Sequence, residues 1–320
     1  MTKVRLIINP ISGTRSKTGL DRMVIDALGP LGREVEVAYT KGHGDATRLA
    51  LSAVEKGCET VLAAGGDGTI NETAAALCGT GVVLGIIPCG SGNGLARHLG
   101  IPVDIKESLK IIIENHAMDI DYATVNDKKF FCTCGVGFDA AVSEAFARKK
   151  TRGKLTYIQS TFQTYANYEP EHYTIIANGK TLTEKAFLVA VCNASQYGNN
   201  AYIAPSASIN DGLLDVTIIH AGNALSTALV GVDMLTGMIE RNMLIQTFRT
   251  DNIIIEREHR GPSHVDGEPM EMDRSLRVRC HHNGLRVFTP SVVHPFRPIL
   301  TPVSSMFNDF RIAVNNLFQK

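Results

Sequence analysis

The 320-residue chain has no tryptophan, no excess charge of either sign, no internal repeat and no low-complexity tract. With 32 Lys and Arg against 32 Asp and Glu, it has no global attraction to polyanions, so a polybasic nucleic-acid binder is disfavoured. Its 44% apolar content is too high for a disordered chain and suits a soluble globular one. The seven cysteines (Cys58, Cys78, Cys89, Cys132, Cys134, Cys192, Cys280) are odd in number, scattered and free of any C-x-x-C pair. That pattern argues for reduced, buried thiols over a disulfide framework or a zinc site. Met1 leads directly into a charged, strand-like segment with no apolar signal region, so a cytoplasmic location is expected. The longest apolar-looking stretch, Ala224 to Ile239, encloses Asp233 and is shorter than the roughly 20 residues of a spanning helix. It reads as a core or surface-docking helix.

At this length two domains are expected. Apolar runs at Val4 to Ile8, Val35 to Tyr39, Thr60 to Ala64 and Val82 to Ile87 alternate with helical patterns such as Asp45 to Glu55 and Thr69 to Leu77. This is the rhythm of βαβ units on a parallel sheet. Beyond Asp121 and Tyr122 the chain turns β-rich, with strand-like runs at Lys129 to Gly135, Tyr173 to Ile176, Leu182 to Asn193, Leu214 to His220, Ile253 to Glu256 and Leu276 to Cys280. Asn178-Gly179 between two of these runs predicts a two-residue hairpin turn. After a proline-rich stretch, residues 292 to 320 return to a helical pattern expected to pack back onto a domain.

Three turns stand at the carboxyl ends of the parallel strands, the edge at which open α/β sheets place ligands. The first strand runs into Asn9-Pro10-Ile11-Ser12-Gly13. The third runs into Gly65-Gly66-Asp67-Gly68-Thr69-Ile70-Asn71-Glu72, where a helix begins at once. Glycines there let backbone amides and the helix N-terminus approach phosphate oxygens. An acid inside such a cradle would repel phosphate, so Asp67 predicts either a Mg²⁺ ion or a proton-accepting role, although helix capping alone also suits it. The fourth strand runs into Cys89-Gly90-Ser91-Gly92-Asn93-Gly94-Leu95-Ala96-Arg97, which lacks the spacing of a dinucleotide fingerprint.

Taken together, Asn9-Pro10 with Ser12-Gly13, then GGDGTINE at Gly65 to Glu72, IPCGSGNGLAR at Ile87 to Arg97 and GVGFD at Gly135 to Asp139 resemble the diacylglycerol kinase catalytic family, which includes bacterial lipid kinases, sphingosine kinases and ceramide kinases. The resemblance implies an α/β nucleotide-binding domain with a parallel sheet (residues 1–125), a C-terminal β-sandwich that binds lipid (126–290) and a last segment (291–320) packed on the first domain. It implies ATP and Mg²⁺ as cofactors and transfer of the γ-phosphoryl group to a lipid hydroxyl of the diacylglycerol or sphingoid-base type. Carried over residue by residue, the nucleotide contacts would be Asn9, Pro10, Ser12, Gly13, Thr40, Gly65, Gly66, Gly68, Thr69, Asn71 and Ser91.

The resemblance also points to a structural Mg²⁺ held by the Asp211 carboxylate and the carbonyls of Ser208 and Leu213, in a segment that alone reads equally as a polar turn. In Val265-Asp266-Gly267-Glu268-Pro269, Glu268 would be the general base, meeting Asp67 on domain closure. Which of the two acids removes the proton is left open by the residues. Asp139 would bind the polar head of the lipid, or simply cap the helix that follows it. Arg148, Lys149, Lys150, Arg152 and Lys154 offer a local cationic patch for peripheral membrane contact. The expected partners are a lipid substrate and a membrane surface, with a homodimer allowed and no nucleic acid. The competing readings are a kinase of a soluble acceptor such as NAD, which shares the G-G-D-G-T turn, and a nucleotide-binding module without catalysis.

Overall fold

The structure, a computed structural model, describes residues 2–13, 17–148, 168–239 and 242–291. The first half alternates strands and helices: β1 (Thr2–Ile8), α1 (Leu20–Leu28), β2 (Arg33–Tyr39), α2 (Asp45–Glu55), β3 (Thr60–Gly65), α3 (Asp67–Leu77), β4 (Val83–Pro88), α4 (Gly94–His98) and α5 (Ile105–Glu114). The four strands pair in parallel in the order β2-β1-β3-β4. Every residue of β3 is buried, as a strand with helices on both faces requires. One core, around Val61, Ala63, Ile70 and Leu84, lies on one side of this sheet. Another, around Leu6, Leu62, Val24 and Ile112, lies on the other.

The second half is β-rich: β5 (Ala117–Val125), β6 (Lys128–Phe130), β7 (Thr133–Gly137), α6 (Phe138–Ala147), β8 (Glu171–Ala177), β9 (Lys180–Cys192), β10 (Leu214–His220), α7 (Ala224–Thr236), β11 (Ile245–Thr250), β12 (Asn252–Arg257), β13 (Gly261–Val265), β14 (Glu268–Met272) and β15 (Ser275–Phe288). These strands pair antiparallel with one another and form a sandwich around Val136, Val189, Val216, Ile255 and Leu276. A mixed architecture results, with a parallel α/β domain followed by an antiparallel β-sandwich.

The turn at Asn178 and Gly179, both with positive φ, joins β8 to β9 as expected. The single strand expected over Lys129 to Gly135 is instead two, β6 and β7, interrupted at Phe131 and Cys132. The amides of those two residues donate to the side chain of Asp266 rather than to a neighbouring strand. Ala224 to Thr236 is helical, opened by Asn223, whose side chain accepts from the Ser226 amide. No helix among the described residues is long and apolar enough to cross a membrane. The helical pattern from residue 292 onward lies outside the described residues.

The long strand β15 ties the halves together. It pairs antiparallel with β12 and β5 and, at Val287, in parallel with Leu84 of β4. Residues buried near its end, Val287 and Phe288, complete the two cores of the first domain. The turns at the carboxyl ends of β3 and β4 meet the sandwich, where Asn71 reaches Asp266 and Arg97 reaches Asn200, and this boundary is the interdomain cleft.

Candidate active site

All three glycine-rich turns meet at one edge of the parallel sheet. A Cβ on Gly13, whose φ is +66°, would fall on the carbonyl of Cys89. A Cβ on Gly90 would lie 2.7 Å from the Cα of Gly66. Two backbones touch there, and no larger residue fits without movement. Thr40, at the end of β2, donates its amide to the carbonyl of Ile8 at 2.9 Å and is buried beside Asn9. Ser91 is exposed at the tip of its turn. Lys17 donates to the Ser12 carbonyl and so brings a cation to the first turn.

The polar side chains of Gly65 to Glu72 act as straps from α3 to its neighbours. Asn9 donates to the hydroxyl of Thr69 at 2.9 Å. Asp67 accepts from the amides of Asn93 at 2.9 Å and Gly94 at 2.7 Å, holding the start of α4. Glu72 accepts from the amides of Gly44 and Ala46, holding the start of α2, and pairs with His43. Asn71, placed among the expected nucleotide contacts, donates across the cleft to Asp266 at 3.0 Å. At the start of α3 the cap residue is Gly66, which offers no side-chain acceptor. The first turn at this end of the helix carries one acid, Asp67, whose oxygens are turned to the start of α4.

Opposite that end stands Glu268. A Cβ on Gly68 would lie 3.2 Å from its Oε1 atom. The residue opens β14 directly after the two-residue turn Asp266-Gly267, and its side chain is exposed to the cleft. Asp266 adopts a left-handed φ of 49° and folds its carboxylate back. There it accepts from the amides of Phe131, Cys132 and Thr133 as well as from Asn71. Burial pushes its pKa up to about 6, against the lowering effect of those backbone donors.

Expected closure of the cleft finds it already bridged. Besides Asn71 to Asp266, His98 bonds the Ser195 hydroxyl at 2.9 Å, Arg97 reaches Asn200 at 3.3 Å and Lys129 donates to the Ala75 carbonyl. Burial lowers the pKa of His98 to about 4, so its Nδ1 is a neutral acceptor for the Ser195 amide at 3.1 Å.

Asp139 lies in the first turn of α6, where all its capacity is directed inward. It accepts from the Ala140 amide, from the Tyr197 hydroxyl at 2.8 Å and from Nε2 of His264 at 2.9 Å. A stack of Phe138 on Phe187, with Tyr168 edge-on to both, lies beside it.

The Ser208 to Leu213 turn lies apart from this cleft. Asp211 accepts from the Leu213 amide, and the Arg249 guanidinium stands 3.5 Å from its other oxygen. Ser208 donates to Asn210. Beneath them the buried Asp121 binds the Gly212 amide, the Asn283 amide and His282. Among the described residues no group of three His, Cys, Asp or Glu side chains converges as a metal cage. The Ser208 to Leu213 turn offers one carboxylate, with Arg249 3.5 Å from Asp211 Oδ2, beside the backbone carbonyls of Ser208 and Leu213. At Asp67 each carboxylate oxygen accepts one amide and keeps a lone pair, so the residue could also hold a divalent ion whose other ligands were phosphate and water.

Residues 3–125 match the diacylglycerol kinase catalytic domain, and residues 132–289 match the YegS C-terminal NAD kinase beta sandwich-like domain. A protein of Chromohalobacter salexigens named "Probable lipid kinase YegS-like" is 30% identical over 83% of this chain and 84% of its own length. The chain belongs to the YegS-like lipid kinase family. A relative of the same name in Citrobacter koseri is 34% identical, covering 83% of this chain and 90% of that one. A crystal structure of a diacylglycerol kinase from Bacillus anthracis str. Sterne superposes with a TM-score of 0.70 at 21% identity, over 91% of this chain and 98% of that one, and shares the fold.

Sequence reasoning passed over several residues that the fold makes central. Glu72, Asp266, His264 and Tyr197 act through side-chain bonds to partners at least 26 residues away in the chain, and only the D-G turn at Asp266 had a local signal.

Proposed function

We propose that this family member transfers the γ-phosphoryl group of ATP to a lipid hydroxyl of the diacylglycerol or sphingoid-base type, with Glu268 as the general base. The observation that carries this reading is the Glu268 carboxylate set opposite Gly68, at the uncapped positive end of α3. Phosphates held by the amides of the first and second glycine-rich turns would lie within reach of that helix end. An acceptor hydroxyl entering from the sandwich side would meet Glu268, which takes its proton as the oxygen attacks phosphorus. Bound Mg²⁺ would supply charge neutralisation on the phosphate oxygens.

Asp67 has another part in this reading. Its two oxygens hold the amides that begin α4, so it fixes the third glycine-rich turn against the second and keeps spare lone pairs for the cation. Among the described residues the Glu268 side chain makes no such structural bond, which suits it to move a proton. ATP, Mg²⁺ and the contacts of Asn9, Pro10, Ser12, Gly13, Thr40, Gly65, Gly66, Gly68, Thr69 and Ser91 follow from the same placement. Peripheral membrane contact is part of the proposal, because a lipid acceptor resides in a bilayer. The basic stretch after Arg148 lies outside the described residues.

The test is incubation of the purified protein with γ-labelled ATP and Mg²⁺ against diacylglycerol, monoacylglycerol, a long-chain base, ceramide and NAD. Label in a lipid is the expected result. Label in NAD, to which the NAD kinase-like description of the sandwich directs attention, or in no acceptor, would overturn the reading.

A further inference from the structure

We propose that the hydrogen bond between Asn71 and Asp266 is a positioning device that sets Glu268 over the phosphate-facing end of α3. Asp266 is then a positioning residue for the transfer. The inference rests on the kinase reading and deepens it.

A two-residue hairpin turn asks only for left-handed backbone at its centre, which asparagine or glycine supplies equally well. Aspartate is one of the residues such a turn accepts, but the turn does not require its carboxylate. Yet the Asp266 carboxylate accepts four donors: the amides of Phe131 at 2.9 Å, Cys132 at 2.7 Å and Thr133 at 2.9 Å, and Nδ2 of Asn71 at 3.0 Å. The first three belong to its own domain. They stand at the break between β6 and β7, where the carboxylate replaces a partner strand. Only the fourth comes from the nucleotide-binding half.

The geometry makes this fourth bond informative. Asn71 follows Asp67 by four residues, so both lie on one face of α3. One turn of a helix separates the phosphate-facing end from Asn71, and one residue separates Asp266 from Glu268. Both links are short. Without the Asn71 bond the hairpin keeps its three amide anchors but loses its own direct tie to α3. A displacement of about 1 Å at reacting groups can lower a rate by about a hundredfold.

Asn71→Ala is the cleaner variant, since the Asp266 carboxylate keeps three donors and the hairpin should stay folded. Its kcat is expected to fall by about tenfold or more, while KM for ATP stays within about twofold. Asp266→Asn, which points an amide group at backbone donors, should lower kcat further, and the double variant should be no worse than Asp266→Asn alone. Backbone amides of residues 266 to 268 should exchange with solvent faster in Asn71→Ala than in the parent. A kcat within about twofold of wild type, or a loss confined to KM for ATP, would overturn the proposal. Should the wild-type protein phosphorylate no lipid, the kinase reading fails while this one is still decided by exchange. Unchanged protection of residues 266 to 268 would then refute it, and faster exchange would sustain the tie.

Discussion

The carboxylate of Asp67 accepts a hydrogen bond from the backbone amide of Gly94 at 2.7 Å, so an acid in the first turn of one helix holds the beginning of the next. Together with the Asn93 amide at 2.9 Å, this welds two glycine-rich turns into one wall. Asp67→Ala leaves both amides without their acceptor and is expected to lower stability by about 2 kcal/mol, with weaker ADP binding. Asp67→Asn retains one acceptor oxygen and should lose less. Urea denaturation and calorimetric titration with ADP measure the two effects.

Glu268 is a different kind of acid. It is exposed at the start of β14, and its side chain makes no hydrogen bond among the described residues, so Glu268→Gln should melt within a degree or two of the parent. Turnover is expected to fall by about a hundredfold to ten-thousandfold with nucleotide affinity unchanged. Comparable rates for the parent and the variant would remove Glu268 from the chemistry.

Gly90→Ala tests the contact between the turns. The added Cβ would approach the Gly66 Cα to 2.7 Å, and backbone has no flexible end to yield. Weaker ATP binding with secondary structure intact is the expected outcome, read from KM for ATP and circular dichroism. A variant with parental KM would mean that the two turns can separate without loss.

Two buried groups give stability opposite pH dependences. His98 is lowered from 6.5 to about 4 by burial. Its contribution is therefore present above pH 6.5 and lost as pH falls towards 4. Asp266 is raised from 3.8 to about 6, chiefly by burial, with His264 and the three amides opposing. Its contribution is greatest below pH 3.8 and is lost as pH rises through 6. His98→Gln removes only the first of these, so between pH 6.5 and 4 its stability relative to the parent should improve as the solution is acidified. A constant difference across that window, measured by thermal denaturation, would count against a neutral buried His98.

The parallel half was legible because its signals are local. The apolar run Thr60 to Ala64 becomes β3, and the glycines after it become the turn that opens α3. Asn178-Gly179 forces a hairpin wherever it stands between two strands. Other features depend on contacts across more than a hundred residues. The gap at Phe131 and Cys132 exists because Asp266, more than 130 residues later, accepts their amides. The engagement of Asp139 by His264 spans 125 residues, and neither residue announces the other. At the candidate site, the residue types were readable in Gly65 to Glu72. Which of them face phosphate and which strap neighbouring elements was not, because capping and ligand binding select the same side chains.

The pairing of Val287 with Leu84 joins one of the last described strands to one of the first. During synthesis the open side of β4 therefore waits until some two hundred later residues have left the ribosome. Until then the nascent first half presents an unpaired strand, a natural target for chaperones and for misassembly.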